Sequence, residues 1–104
     1  MAADPPAAPA LPSAPSEADI AAFVAERFLP GVDAAELDPE YDLLATAVVD
    51  SLGVLHIAAW LSDAHGVDLP DEELTGRNFR TVRAVRATAG RAAARRAAAG
   101  EGRA

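Results

Sequence analysis

No cysteine occurs anywhere in the chain, which excludes disulfides and thiolate-bound metals. Lysine is absent too. Every basic residue is an arginine, and alanine is abundant, a pairing we read as genomic base composition and not as function. No apolar run is long enough to cross a bilayer, and no charged segment followed by an apolar stretch opens the chain. Neither a membrane anchor nor a secretory leader is expected, and a cytoplasmic location follows by default. Strand-like alternation and internal repeats are also missing, so the expected fold class is all-α. At 104 residues the chain has room for one small domain, whose core must pack tightly to be stable.

Charge of one sign is scarce in each half. Residues 1–73 hold 15 acids against Arg27 alone, while residues 74–104 hold eight arginines against Glu101. The acidic part argues against nucleic acid as a partner and suits basic protein surfaces. The arginines of the basic part have no aromatic residues interleaved with them, so they do not form a base-stacking platform. Cations there suit the C-terminal half of a helix.

Residues 1–15 are Ala/Pro-rich, with too little apolar bulk to offset ordering entropy, and read as a disordered tail. Residues 16–90 read as the folded domain, and residues 91–104 as an Arg/Ala-rich helical extension with a frayed end. Ser16, with Asp19 three residues on, marks a helix start. Ile20, Phe23, Val24, Arg27 and Phe28 carry that helix to about Leu29, where Pro30-Gly31 stops it. A long connection follows over residues 31–49, with Val32, Leu37, Leu43, Leu44, Val48 and Val49 as apolar anchors and a helical turn near Asp42–Ala45. A second long helix spans about Ser51 to His65 and ends at Gly66, with Val54, Ile57, Ala58, Leu61 and His65 on its inner face. Leu69 and Pro70 lead into a short helical turn that Gly76 is expected to break. Thr81 caps a last helix, with Val82, Val85 and Ala89 inward.

The run Val48-Val49-Asp50-Ser51-Leu52-Gly53-Val54-Leu55 carries the chemistry. Asp50 can accept a bond from an unpaired N–H of the second helix's first turn. Ser51 then stands in that turn with its hydroxyl toward solvent. The free N–H groups and the positive dipole end favour an anion there, such as a phosphodiester on the hydroxyl. A hydrolase nucleophile does not fit. No Gly-x-Ser-x-Gly surrounds Ser51, His56 lies well round the helix, and His65 is almost four turns away.

Asp50-Ser51-Leu52, the following helix, the acidic turn Gly66-Val67-Asp68-Leu69-Pro70-Asp71-Glu72-Glu73 and the run Asn78-Phe79-Arg80-Thr81-Val82 together resemble the acyl and peptidyl carrier proteins. The likeness covers about residues 17–90. It implies a bundle of three principal helices plus one short helix, with a long first loop. It implies no catalysis by the chain itself: Ser51 would carry covalent 4′-phosphopantetheine, from coenzyme A, whose thiol holds acyl or aminoacyl groups as thioesters. The implied partners are a phosphopantetheinyl transferase, a loading acyltransferase or adenylating enzyme, and a downstream ketosynthase or condensation enzyme. A monomer without nucleic-acid or membrane partners is expected. Asp50, Leu52, Leu55, His56, Ala59 and Asp63 would form the partner-recognition surface.

Val48 stands where fatty-acid carriers usually have glycine, and the outer face of the second helix has few carboxylates. Both features depart from the fatty-acid carriers, and the pattern Leu43-Leu44-Ala45-Thr46 with Val49-Asp50-Ser51-Leu52-Gly53-Val54-Leu55 resembles the discrete carriers of polyketide and nonribosomal assembly. The competing readings are a fatty-acid synthesis carrier and a helical interaction module without cofactor. His65 reads as a boundary imidazole, and Trp60 as a packing residue between the second helix and the segment after it. The acids at 68 and 71–73 read as helix-start and surface charges, with no metal spacing.

Overall fold

Ser16 begins the ordered architecture with a reciprocal cap. Its hydroxyl accepts the Asp19 N–H at 3.1 Å, and the Asp19 carboxylate accepts the Ser16 N–H at 3.2 Å. The computed structural model describes residues 14–102 and contains four α-helices and no strand among them. These are α1 (Glu17–Phe28), α2 (Ser51–His65), α3 (Gly76–Phe79) and α4 (Val82–Gly102), with short 3-10 turns at Ala34–Glu36 and Asp71–Glu73. Most of the tail expected over residues 1–15 lies outside the described residues. Its last two residues do not: Pro15 is buried, and Ala14 packs on the core.

Helical spacing decides the core. Ile20 and Val24 of α1, Ile57 and Leu61 of α2, and Val82 and Val85 of α4 are almost fully buried, with Phe79 of α3 among them. The sequence also reads Phe23 and Leu69 as core residues, but each is only half-buried, at the rim of this cluster. Loops supply further fully buried residues, namely Leu43, Val49 and Val67. Ala92 is buried and Ala93 half-buried, so packing continues one turn past residue 90.

Two expectations are corrected. Gly76 does not break a helix; it opens α3, with the Thr75 hydroxyl accepting the Asn78 N–H at 3.4 Å. The helical turn before it is the separate 3-10 turn Asp71–Glu73, so the minor helical unit comes in two pieces. Trp60 is half-buried, and its ring partners include one the sequence did not suggest. It stacks on Phe23 of α1, with centroids 4.5 Å apart, and His65 meets its edge at 4.9 Å. The other boundaries agree. Gly66 ends α2 in the left-handed conformation (φ 66°), the Thr81 hydroxyl accepts the Ala84 N–H at 3.0 Å, and α4 runs straight through Gly90.

The long connection before α2 is pinned by its backbone. The Leu43 N–H donates to the Arg80 carbonyl at 2.7 Å, and the Arg83 N–H donates to the Pro39 carbonyl at 3.0 Å. Ion pairs follow the same seam. Arg80 meets Asp42 at 3.0 Å, and Arg83 pairs with both Glu17 and Glu40. Farther along α4, Arg91 reaches Glu73 and Arg96 reaches Asp68. Among the described residues these pairs join four arginines of the basic part to five acids of the acidic part. All these pairs face water, so each contributes at most about 1 kcal/mol.

The core assignment predicts that Leu61→Ala or Ile57→Ala costs about 2–5 kcal/mol, through lost burial plus a cavity. Thermal unfolding measures this, and an unchanged midpoint in both variants would contradict the buried face of α2. A second prediction concerns Asp42. The Ala45 N–H does most to lower its carboxyl; desolvation opposes this, and Arg80 and the Leu44 N–H add to the lowering, so the net direction is below the ordinary aspartate value. A depressed folded-state pKa stabilises the fold above the unfolded-state pKa, and that contribution is lost as pH falls through the folded value. Asp42→Asn should therefore lower the midpoint at neutral pH and flatten its decline below about pH 4. Parallel melting curves across pH for the two proteins would contradict it.

Candidate functional site

Asp50 leaves the preceding loop in extended conformation and starts α2. Its Oδ1 accepts the Gly53 N–H at 2.8 Å, and its carbonyl accepts the Val54 N–H at 2.9 Å. Ser51 follows as the first helical residue, exposed, at the positive end of a 15-residue helix. Both placements agree with the sequence reading.

What holds this end of α2 in place was less visible. Gly53 is buried, and a Cβ there would lie 2.9 Å from Val49 Cγ1 and 3.2 Å from Phe28 Cε1. The missing side chain lets α1 and the loop close under the start of α2. The available signal was a glycine inside a helix, where it costs about 0.5–1 kcal/mol relative to alanine unless packing requires it. Val49, 1% exposed, donates its N–H to the Leu43 carbonyl at 3.0 Å and closes the turn Leu43–Ala47. The Asp42 Oδ1 caps that turn, accepting the N–H groups of Leu44 at 3.1 Å and Ala45 at 2.8 Å. Ala47 is left-handed there (φ 62°), at a steric cost of about 1–2 kcal/mol that glycine would avoid.

A pocket of about 580 Å³ opens beside Ser51. The loop contributes Leu44, Ala47 and Val49 to its wall, α2 contributes Val54 and Leu55, and the later segment contributes Leu74, Thr75 and Gly76. Asp50 is the one ionisable side chain in that lining. A group tethered to the Ser51 hydroxyl therefore meets an anion-tolerant helix end at its root and a mainly apolar hollow alongside.

The expected recognition residues share the outer face of α2. Leu52 is 60% and Leu55 52% exposed, and His56, Ala59 and Asp63 are exposed with them at helical spacing. Leu55 also lines the pocket, so it links that face to Ser51. His65 is turned away against Trp60. No metal-holding group of acids and histidines occurs among the described residues. Instead, Asp68 accepts the Ser62 hydroxyl at 2.7 Å, and Glu73 accepts the Asn78 amide at 3.0 Å.

Residues 27–88, a span that contains Ser51, match the family described as Phosphopantetheine attachment site. The meromycolate extension acyl carrier protein of Mycolicibacterium aurum is 37% identical over 71 residues, covering 66% of this chain and 71% of that protein. The acyl carrier protein of Thermobifida fusca is 38% identical over 55 residues, covering 53% of this chain and 67% of that protein. The chain spans under half the length of the Mycobacterium tuberculosis (strain ATCC 25618 / H37Rv) meromycolate extension carrier, at 44% of it, with 38% identity over 50% of this chain. Among solved structures, KstB-PCP in its apo form superposes with a TM-score of 0.60 and 40% identity, over 71% of this chain and 86% of that one. The all-α bundle, the exposed serine at a capped helix start and these relatives agree: the chain belongs to the acyl and peptidyl carrier proteins, non-catalytic carriers of covalent 4′-phosphopantetheine.

Proposed function

We propose that Ser51 is the attachment serine and that the chain presents acyl or aminoacyl thioesters to polyketide- or nonribosomal-type assembly enzymes. The observation that carries the assignment is the Ser51 hydroxyl itself, exposed at the Asp50-capped start of α2 and bordering the pocket. Phosphopantetheine fits there. The amide N–H groups of Ser51 and Leu52 lie in the first turn, where the helix leaves N–H groups unpaired and favours an anion. Once bound, the group supplies a thiol on a long flexible tether, and the thioester keeps a carried carbonyl electrophilic. The protein's part is to anchor, position and be recognised, while catalysis belongs to its partners. Those partners are a phosphopantetheinyl transferase, a loading acyltransferase or adenylating enzyme, and a ketosynthase or condensation enzyme downstream.

The character of α2's outer face supports specialised assembly. Leu52, Leu55 and Ala59 give it apolar area, and Asp63 is its single carboxylate beyond Asp50. Such a face is recognised more by apolar fit than by charge steering. The 40% identity to KstB-PCP points the same way. A fatty-acid-type carrier is the second reading, favoured by the likeness to the Mycolicibacterium aurum protein.

Intact-mass measurement after incubation with a broad-specificity transferase and coenzyme A tests Ser51. We expect a single phosphopantetheine adduct that is absent from Ser51→Ala; an adduct that persists in that variant places the attachment elsewhere. Leu55 is tested by replacement with glutamate. It packs against little of the core, so Leu55→Glu should fold normally yet load at least tenfold more slowly from its cognate enzyme, a loss of about 1.4 kcal/mol expected of an interface anchor. Wild-type loading kinetics in the folded variant would remove Leu55 from the contact.

A further inference from the structure

Ala47 is the one non-glycine residue of positive φ among the described residues, and it closes the turn that leads to Asp50 and Ser51. A strained residue persists only where its surroundings over-determine it, and such residues gather at functional sites. Asp42 organises those surroundings. Its Oδ1 accepts the Leu44 and Ala45 N–H groups, its Oδ2 accepts Arg80 Nη1 at 3.0 Å, and its carbonyl accepts the Thr46 hydroxyl at 2.7 Å. Leu43 donates to the Arg80 carbonyl and accepts from Val49, so the turn is tied to the α3–α4 junction on one side and to Val49 on the other. Val49 Cγ1 lies 2.9 Å from the point where a Cβ of Gly53 would stand, under the first turn of α2. A continuous path of contacts therefore runs from Arg80 through Asp42 and the turn to the start of α2. Asp42 itself bonds to neither Asp50 nor Ser51 and has no place in the pocket wall.

We propose that Asp42 is a positioning residue for the modification of Ser51: by capping the strained turn it fixes where the Ser51 hydroxyl stands when the transferase acts. In that step Ser51 Oγ forms a bond to the phosphorus of coenzyme A that bears pantetheine. The bond from that phosphorus to the bridging oxygen breaks, adenosine 3′,5′-bisphosphate leaves, and the hydroxyl proton passes to a base of the transferase. Such an in-line displacement depends on alignment, and a misplacement of about 1 Å costs on the order of a hundredfold in rate. The Asp50 cap joins the loop to α2, but it does not fix the loop to the bundle. Asp42 does, so its capping geometry, more than its charge, governs the rate; its exposed pair with Arg80 is of the weak kind.

The proposal rests on Ser51 as the attachment serine, so attachment is read separately. The full chain is mixed with a broad-specificity transferase in excess and with saturating coenzyme A, and intact mass follows a single turnover. The maximal rate reports the chemical step, and the half-saturating transferase concentration reports binding. Circular dichroism gives the folded fraction of each variant. Asp42→Ala should lower the maximal rate at least tenfold, on the order of a small misalignment, and leave half-saturation near wild type because the outer face of α2 is intact. Asp42→Asn keeps an Oδ1 for the two N–H groups and should stay within about threefold of the wild-type rate. Asp42→Glu keeps the charge but sets it one methylene too far to cap the turn, and should be as slow as Asp42→Ala. Should Asp42→Ala unfold, the contrast between asparagine and glutamate still decides. Val85→Ala removes buried core and touches no bond of the turn. Partial unfolding there dilutes the competent carrier and raises half-saturation in inverse proportion to the folded fraction, with the maximal rate unchanged. A wild-type maximal rate in folded Asp42→Ala, a defect confined to half-saturation, or asparagine as slow as glutamate overturns the positioning role. A wild type that gains no phosphopantetheine mass, or a Ser51→Ala protein that does, overturns the Ser51 assignment instead, and the role of Asp42 falls with it.

Discussion

The close approach at Gly53 is the constraint on which the rest of the site depends. Val49 and Phe28 both reach into the space where a Cβ at that position would stand. That contact seats the end of α1, the end of the long loop and the first turn of α2 on one another. Asp50 follows immediately after Val49 and can then cap, because its backbone is already extended and aimed at the helix. Ser51 is exposed because its neighbours on the helix are the ones committed inward. The serine needs no side-chain partner of its own; the backbone places it.

The loop before α2 is long for so small a domain, and closing it costs entropy. It is held by buried leucine and valine side chains and by backbone bonds from the Leu43 N–H to the Arg80 carbonyl and from the Arg83 N–H to the Pro39 carbonyl, more than by its exposed ion pairs. Arg83, Arg91 and Arg96 of α4 meet acids of the loop, of α1 and of the segment after α2, and these exposed pairs add little to stability. The outer face of α2 takes little part in this arrangement and is left largely apolar.

Much of this was legible along the chain. The Ser16/Asp19 cap, the Asp50 cap, the Gly66 stop and the inward stripe of Ile57 and Leu61 are local or periodic features, and short-range geometry decides them. The buried loop residues were harder. Leu43 and Val49 could be named as anchors, but no period says which loop side chains go fully inside. Val67 became core because the turn at Gly66 folds its N–H back to the Leu61 carbonyl. Phe23 was read as interior for its place on α1; stacking on Trp60 at the rim leaves it half-buried.

Sequence alone determined that the chain is helical, that α2 begins at a capped serine and that its outer face carries Leu52, Leu55, His56, Ala59 and Asp63. Each follows from spacing within one helix, where neighbours in space are three or four residues apart. Tertiary structure alone decided why Gly53 and Gly76 are glycines, why Ala47 sits in a left-handed turn, and that a hollow opens beside Ser51. Those depend on side chains far away in the sequence, such as Phe28 against Gly53 and Leu44 against Gly76, which meet only when the loop and the helices have closed on one core.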